Sequence, residues 1–280
     1  MIRDITLGQY YQANSVIHKL DPRTKLIGTL VFVVSLFVKK NIAVYVLAAL
    51  FLASVIKVSK VPYRFVVRGI KPIVMLLVIT GAFNLFLTPG DVLVTIWKLH
   101  ITAQGVENAI YIVIRLLLLI LRSSMMTLTT TPNELTDGLE KLLKPLRIFH
   151  VPVHEISMMM AIALRFIPIL IEETDKIMKA QMARGADFEH GSLVQKAKNM
   201  IPLLVPLFVS AFRRANDLAM AMEARCYQGG EGRTKMKPLC YEKRDFVSYM
   251  VLALYLCLAV AGGILFARIM PTWASVLKGN

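Results

Sequence analysis

The chain has 280 residues, 56% of them hydrophobic, and carries 33 Lys+Arg against 18 Asp+Glu for a formal charge of +15. With a mean hydropathy of +0.59, this composition excludes a disordered chain, a collagen-like chain and a disulfide scaffold, and points to an integral membrane protein with a polar part attached. The basic excess lies between long apolar runs, so it reads as the positive-inside rule and not as nucleic-acid binding.

The first 25 residues are mixed polar, with Arg3, Lys19, Arg23 and Lys25, and predict no cleavable signal peptide. Two short apolar stretches follow, Leu26–Val38 and Ile42–Ile56, separated by Lys39-Lys40-Asn41. One long helix and a hairpin of two short helices compete here. Charge favours the hairpin. It puts the basic N-terminal segment and the five basic residues of 57–71 on one side of the membrane. The third segment is Pro72–Leu87, ended by the turn signal Thr88-Pro89-Gly90. The fourth runs from about Gly105 to Leu128 and the last is Phe246–Ala267, 22 residues without a charge until its end. Five crossings with the N-terminus inside put the C-terminus outside. On the inside lie four Lys/Arg of the N-terminal segment, five of 57–71 and seventeen of 130–245; five lie outside and two within segment four.

Those two are Arg115 and Arg122, seven residues apart and so on one helix face. A charge inside a membrane helix is a functional candidate by default. Two plainer roles stand beside that one. Arg122 snorkels to the nearby surface, and Arg115 braces the bundle against a polar side chain such as Asn84.

Residues 130–245 mix seventeen Lys/Arg with fourteen Asp/Glu. Thr131-Pro132-Asn133-Glu134 is a helix start, with Thr131 as N-cap and Glu134 at N3, and that helix is expected to end near Leu143. A second helix is expected from Pro152 to Arg184 and a third from about Leu193 to Tyr227. Each has an apolar first half and a charged second half, and Pro168, Pro202 and Pro206 predict kinks. At about 16 and 12 residues the apolar halves fall short of a comfortable span, so both helices are expected to lie under the bilayer. The fold class is therefore an all-α integral membrane protein of about five transmembrane helices with long amphipathic cytoplasmic helices. Its parts are a membrane bundle over 1–130, cytoplasmic helices over 131–242, and a final membrane helix and tail over 243–280.

The two long helices end alike, in Ala183-Arg184-Gly185 and Ala224-Arg225-Cys226, with Ala180 and Ala221 four residues before each arginine. One reading is capping: a cation in the last turn complements the helix dipole, and Gly185 suits the left-handed cap position. The other is a pair of equivalent anchors for a two-fold partner, since arginine forms bidentate pairs with carboxylates.

With these boxes in view, the chain resembles the transmembrane T component of energy-coupling factor (ECF) transporters, EcfT. The likeness rests on Leu20-Asp21-Pro22-Arg23-Thr24-Lys25, Ala163-Leu164-Arg165-Phe166-Ile167-Pro168, the two Ala-Arg boxes and Gly229-Gly230-Glu231-Gly232-Arg233-Thr234. The family pattern is Ala-Arg-Gly twice; here Cys226 replaces the second glycine. The resemblance implies a non-catalytic subunit of a vitamin or micronutrient importer in the cell membrane. It further implies two cytoplasmic ATPase partners docked on Arg184 and Arg225, and one or more membrane-embedded S components on the apolar helix faces.

Other signals are weaker. The chain has no Gly-x-x-x-x-Gly-Lys-Ser/Thr phosphate loop, and no cofactor is expected. The Met-rich set around Met158-Met159-Met160 reads as core filling or as an adaptable partner surface. His150, His154 and Glu155 superficially suggest a metal site, but Pro152 breaks the helix that would align them, so no metal is expected. Cys226, Cys240 and Cys257 show no paired spacing. The main alternative function is a stand-alone secondary transporter or channel with Arg115 and Arg122 lining the path; a membrane enzyme is the other.

Overall fold

The structure is a computed structural model, and the residues described are 10–38, 41–96, 99–186, 188, 192–229, 236 and 238–269. Nine α-helices are formed among them: α1 (Pro22–Val38), α2 (Ile42–Ser59), α3 (Tyr63–Arg68), α4 (Val74–Leu87), α5 (Ala103–Thr129), α6 (Pro132–Leu143), α7 (Val153–Ala183), α8 (Leu193–Glu223) and α9 (Lys243–Ile269). An antiparallel hairpin, β1 (Val92–Ile96) with β2 (Leu99–Thr102), joins α4 to α5. β-branched and apolar residues (Val92, Val94, Thr95, Ile96, Ile101) suit a short paired ribbon here. The tail at 230–235 and the pair Lys39-Lys40 lie outside the described residues.

Local chemistry sets the helix starts. Asn41 accepts the N–H of Ala43, Thr102 accepts that of Gly105, and Ser192 accepts that of Gln195. Thr131 and Glu134 form the expected reciprocal capping box. α1 and α2 are separate helices, as the hairpin reading requires.

By length and composition, five helices among the described residues are apolar enough to cross a membrane: Ile42–Ser59, Tyr63–Leu87, Ala103–Thr129, Val153–Ala183 and Lys243–Gly263. The set differs from the sequence expectation at two places. α1 is one turn shorter than the usual span, at 17 residues. α7 qualifies because the chain carries the helix unbroken through Pro168 for 31 residues, so its apolar half is not a separate short element.

The contacts divide the chain into two units, residues 8–138 with 239–280, and residues 139–238. The first has a core in which Phe32 and Leu36 of α1 meet Tyr45, Ala48 and Leu52 of α2, Leu118 of α5, and Leu252 and Tyr255 of α9. The rings of Phe32, Phe51 and Tyr255 stack at 4.6 to 6.1 Å between centroids.

The start of α1 is a polar staple in this unit. Pro22 occupies the first helical position, and Asp21 Oδ1 accepts the N–H of Arg23. Asp245, 2% exposed at the start of α9, accepts the N–H groups of Asp21 and Glu242 and the hydroxyl of Thr24. Arg23 pairs with Asp21 at 2.7 Å and lies 4.0 Å over the ring of Tyr241. Lys25 is buried and donates to the carbonyls of Thr129 (2.8 Å) and His18 (3.1 Å), closing the end of α5. The motif 20–25 thus ties α1, α5 and α9 together.

Candidate functional site

The second unit is built on α7 and α8, which run antiparallel. Gln181 reaches the carbonyl of Pro202, and Glu173 accepts from Ser210 and from Arg214 at 2.9 Å. An apolar cavity of about 290 Å³ lies between Ile162, Phe166 and Leu170 on one helix and Ala215, Leu218 and Met222 on the other. A shift of 41 residues superimposes the Ala-Arg boxes of α7 and α8, and the same shift carries Glu173 onto Arg214. The crossing bond therefore joins two equivalent positions, as a local two-fold relation demands. Arg184 stands 11 residues beyond Glu173, and Arg225 stands 11 beyond Arg214. Each arm is about 16 Å of helix, and the two arms point to opposite ends of the pair.

The two ends are closed by the same hydrogen bonds. At the first, Gly185 N–H donates to Met182 and Ala186 N–H to Gln181, both at 3.0 Å; at the second, Cys226 N–H donates to Glu223 (2.9 Å) and Tyr227 N–H to Met222 (3.1 Å). This is the Schellman cap twice, with the residue after each arginine in the left-handed region. Gly185 has φ +89° and Cys226 has φ +56°. The missing second glycine therefore does not change the cap; the cysteine accepts the strained conformation, at a cost of about 1 kcal/mol.

Backbone groups satisfy the last carbonyls, so neither guanidinium is needed to close its helix. Ala183, Arg184, Gly185, Ala224, Arg225 and Cys226 are all exposed. Among the described residues, neither arginine has a side-chain partner. Two solvent-facing cations on equivalent, rigid caps can take up carboxylates in bidentate geometry.

The faces of the pair are open. Ile201, Leu204, Val205, Phe208 and Phe212 recur at helical spacing along α8 and are exposed, and Met159, Met160, Met200 and Met220 are exposed with them. Met158, Met178 and Met222 are half-buried. The methionine set is thus divided between packing and surface.

The intramembrane arginines have different surroundings. Arg115 Nε donates to Tyr45 Oη at 2.9 Å, and its guanidinium lies 5.0 Å from the ring centroid of Phe37. Asn84 is not its partner, because the Asn84 amide donates to Thr80 one turn back. Arg122 faces Phe32 at 6.0 Å, and its Nε is buried without a hydrogen-bond partner among the described residues. His154 Nδ1 meets Glu140 at 3.1 Å, and Ser157 donates to the same carboxylate. No group of three His, Cys, Asp or Glu that could hold a metal occurs among the described residues. The sequence reading missed the Glu173–Ser210–Arg214 crossing. The 41-residue offset was a usable signal for it, since it sets an acid against a base.

Comparison with known proteins gives a consistent picture. Residues 13–236 match the family described as cobalt transport protein, CbiQ. The energy-coupling factor transporter transmembrane protein EcfT of Clostridium kluyveri is 50% identical over 270 residues, covering 96% of this chain and 100% of that protein. Proteins of the same name from Thermosediminibacter oceani and Bacillus subtilis are 53% and 48% identical, each covering 90% of this chain and 96% and 97% of their own length.

Proposed function

The chain belongs to the CbiQ family and is a multi-pass transmembrane component of an energy-coupling factor transporter; on that premise we infer that it joins two cytoplasmic ATPase subunits to a membrane-embedded S component that captures a vitamin or other micronutrient. The observation that carries this reading is the pair of identical caps presenting Arg184 and Arg225. Two equivalent cations on equal arms suit a partner that offers one acidic groove twice. The chain itself is the non-catalytic subunit, with no phosphate loop in its sequence, and ATP is hydrolysed on the partners.

The proposed organisation is a bundle over 1–130, coupling helices over 131–242 and a final membrane helix over 243–280, in the cell membrane. The N-terminus and the coupling helices are cytoplasmic and the C-terminus is outside, in keeping with the distribution of Lys and Arg. α7 is long and apolar enough to span. Its partnership with α8 through Glu173, Ser210 and Arg214, and its exposed Glu172 and Lys176, favour a place along the membrane surface, where a polar crossing costs less. The apolar face of Ile201, Leu204, Val205, Phe208 and Phe212 is where the S component packs.

Coupling then follows from stiffness. Closure of the ATPase pair moves the two caps relative to each other. The displacement passes along two helical arms to their crossing at Glu173 and Arg214, and appears as a shear of the open apolar face. Arg115 donates to Tyr45, which favours a bracing role for it over a place on a substrate path.

The test is affinity purification of the tagged chain from mildly solubilised native membranes. Two related ATPases and at least one small membrane protein are expected with it. A solitary chain under the same conditions contradicts the proposal.

A further inference from the structure

The first unit contains a cavity that the coupling role does not use. It measures about 260 Å³ and lies between α1, α2, α5 and α9, at the end where α1 and α9 begin and α5 finishes. Its outer wall is apolar: Phe51, Val55 and Val58 of α2 face Val247 and Val251 of α9 across it. Val58, Val247 and Val251 are themselves exposed. Three of the four helices, α2, α5 and α9, are apolar enough to cross a membrane, so the mouth opens to lipid.

The inner wall is basic. Arg122 lines it, along with Lys25 and Arg244. Arg244 is paired with Glu242, and Lys25 is held by two backbone carbonyls. Arg122 has neither a carboxylate nor a hydrogen-bond acceptor among the described residues, and its Nε is sealed from solvent. A Cβ at Gly28 would stand 3.3 Å from Arg122 Nη2, so the glycine leaves the guanidinium its place. The nearby Asp245 is taken up by the N–H groups of Asp21 and Glu242 and by the Thr24 hydroxyl. A guanidinium in an apolar wall without a counter-charge is costly and calls for an anion.

The depth of the charge fits a lipid headgroup. Arg122 stands seven residues before the end of α5, about 10 Å along the helix axis. That distance is within the reach of a long side chain to the interface. Lys25 and Arg244 lie in the first turns of α1 and α9. Thr29, Ser54 and Ser248 also line the cavity, the first two with hydroxyls that donate to carbonyls of their own helices.

We propose that this cavity is a binding site for one anionic phospholipid, its phosphate on Arg122 beside Lys25 and Arg244, and one acyl chain laid along Phe51, Val55, Val247 and Val251. A soluble anion is disfavoured because the mouth is rimmed by exposed valines, and a zwitterionic lipid would bring a second cation to a wall that already has an uncompensated one. The lipid supplies the missing counter-charge and fills the gap between α2 and α9.

The full-length chain, purified in mild detergent, is equilibrated with phosphatidylglycerol or with phosphatidylcholine of the same acyl chains, and the retained lipid is counted by native mass spectrometry. One phosphatidylglycerol is expected to stay, with a preference of about tenfold over phosphatidylcholine. Arg122→Gln is expected to abolish that preference. Val251→Trp fills the mouth while leaving the arginine intact and is expected to lose the lipid too, so it decides the matter if Arg122→Gln does not fold. Lys57→Gln, a basic residue outside the cavity, is expected to retain it. Equal retention of the two lipids by the wild-type chain overturns the proposal, as does wild-type retention of phosphatidylglycerol by both Arg122→Gln and Val251→Trp.

Discussion

The unit of α1, α2, α5 and α9 gathers Phe32, Phe51 and Tyr255 in one stacked cluster, whereas α8 leaves Phe208 and Phe212 in the open: Phe32 of α1 is 0% exposed and Phe208 of α8 is 66% exposed. Apolar sequence makes both regions, but it is used differently. In the first, α1, α2, α5 and α9 pack their apolar residues on one another and close their polar ends through Asp245 and Lys25. In the second, two 31-residue helices meet through a polar crossing and an apolar cavity, and α8 leaves most of its large apolar side chains exposed. A region that folds against itself holds its shape alone. A helix pair with open faces and two exposed cations is built to be completed by other chains.

The sharpest way to break this contrast is to remove one phenylalanine from each region. Phe32→Ala is expected to destabilise the purified chain by about 3–5 kcal/mol, and Phe208→Ala by less than about 0.5 kcal/mol. Phe208→Ala is expected instead to lower the amount of S component that co-purifies. Thermal unfolding in detergent reads the first effect and a pull-down the second. Equal stability losses would show that α8 is packed in the isolated chain.

Asp245 comes next. Asp245→Ala strands the buried Asp21 N–H and Thr24 hydroxyl and the partly buried Glu242 N–H, and is expected to cost about 3 kcal/mol in the same melt. Asp245→Asn keeps an acceptor oxygen and is expected to cost less. Equal melts for wild type and Asp245→Ala would remove the staple from the account.

The caps give smaller effects of opposite sign. Cys226→Gly relieves a left-handed cysteine and is expected to stabilise by about 1 kcal/mol. Gly185→Ala introduces the same strain and is expected to cost about 1 kcal/mol. If the two changes share a sign, the two ends are not equivalent.

Acid titration gives the smallest effect. His18 outside the membrane helices accepts from Ser15 through Nδ1 and donates to the Tyr11 carbonyl through Nε2. Burial, and to a lesser degree the Lys25 charge, hold its pKa below the ordinary 6.5. The neutral ring is therefore favoured in the folded chain. Its contribution is full above about pH 6.5 and declines as pH falls further, because the unfolded chain then binds the proton first. The loss of melting temperature between pH 7.5 and 5.5 is expected to be smaller in His18→Gln than in wild type; an unchanged loss would contradict this.

Much of this was legible in the residues. The capping box at Thr131 and Glu134, the limits of α7, the start of α8 and the separation of α1 from α2 follow from local rules that act within a few residues. The paired arginine ends were visible as a pattern. The hairpin at Val92–Thr102 went unread although its pairing is local, and the partner of Arg115 was not legible, because it is settled by packing at long range. Tyr45 lies 70 residues from Arg115 in the chain, and nothing in the spacing of either names the other. The equality of the two arms emerged once the Glu173–Arg214 bond located the crossing.

The most direct measurement is co-purification of both ATPases with Arg184→Ala, Arg225→Ala and the double variant, titrated to give affinities. Equivalent anchors predict similar losses for the two single variants, each about 2–5 kcal/mol if the pairs are desolvated, and no detectable complex for the double. Lysine at either position is expected to restore part of the binding, because it keeps the charge and loses the bidentate fork. Wild-type affinity in both single variants would contradict the account.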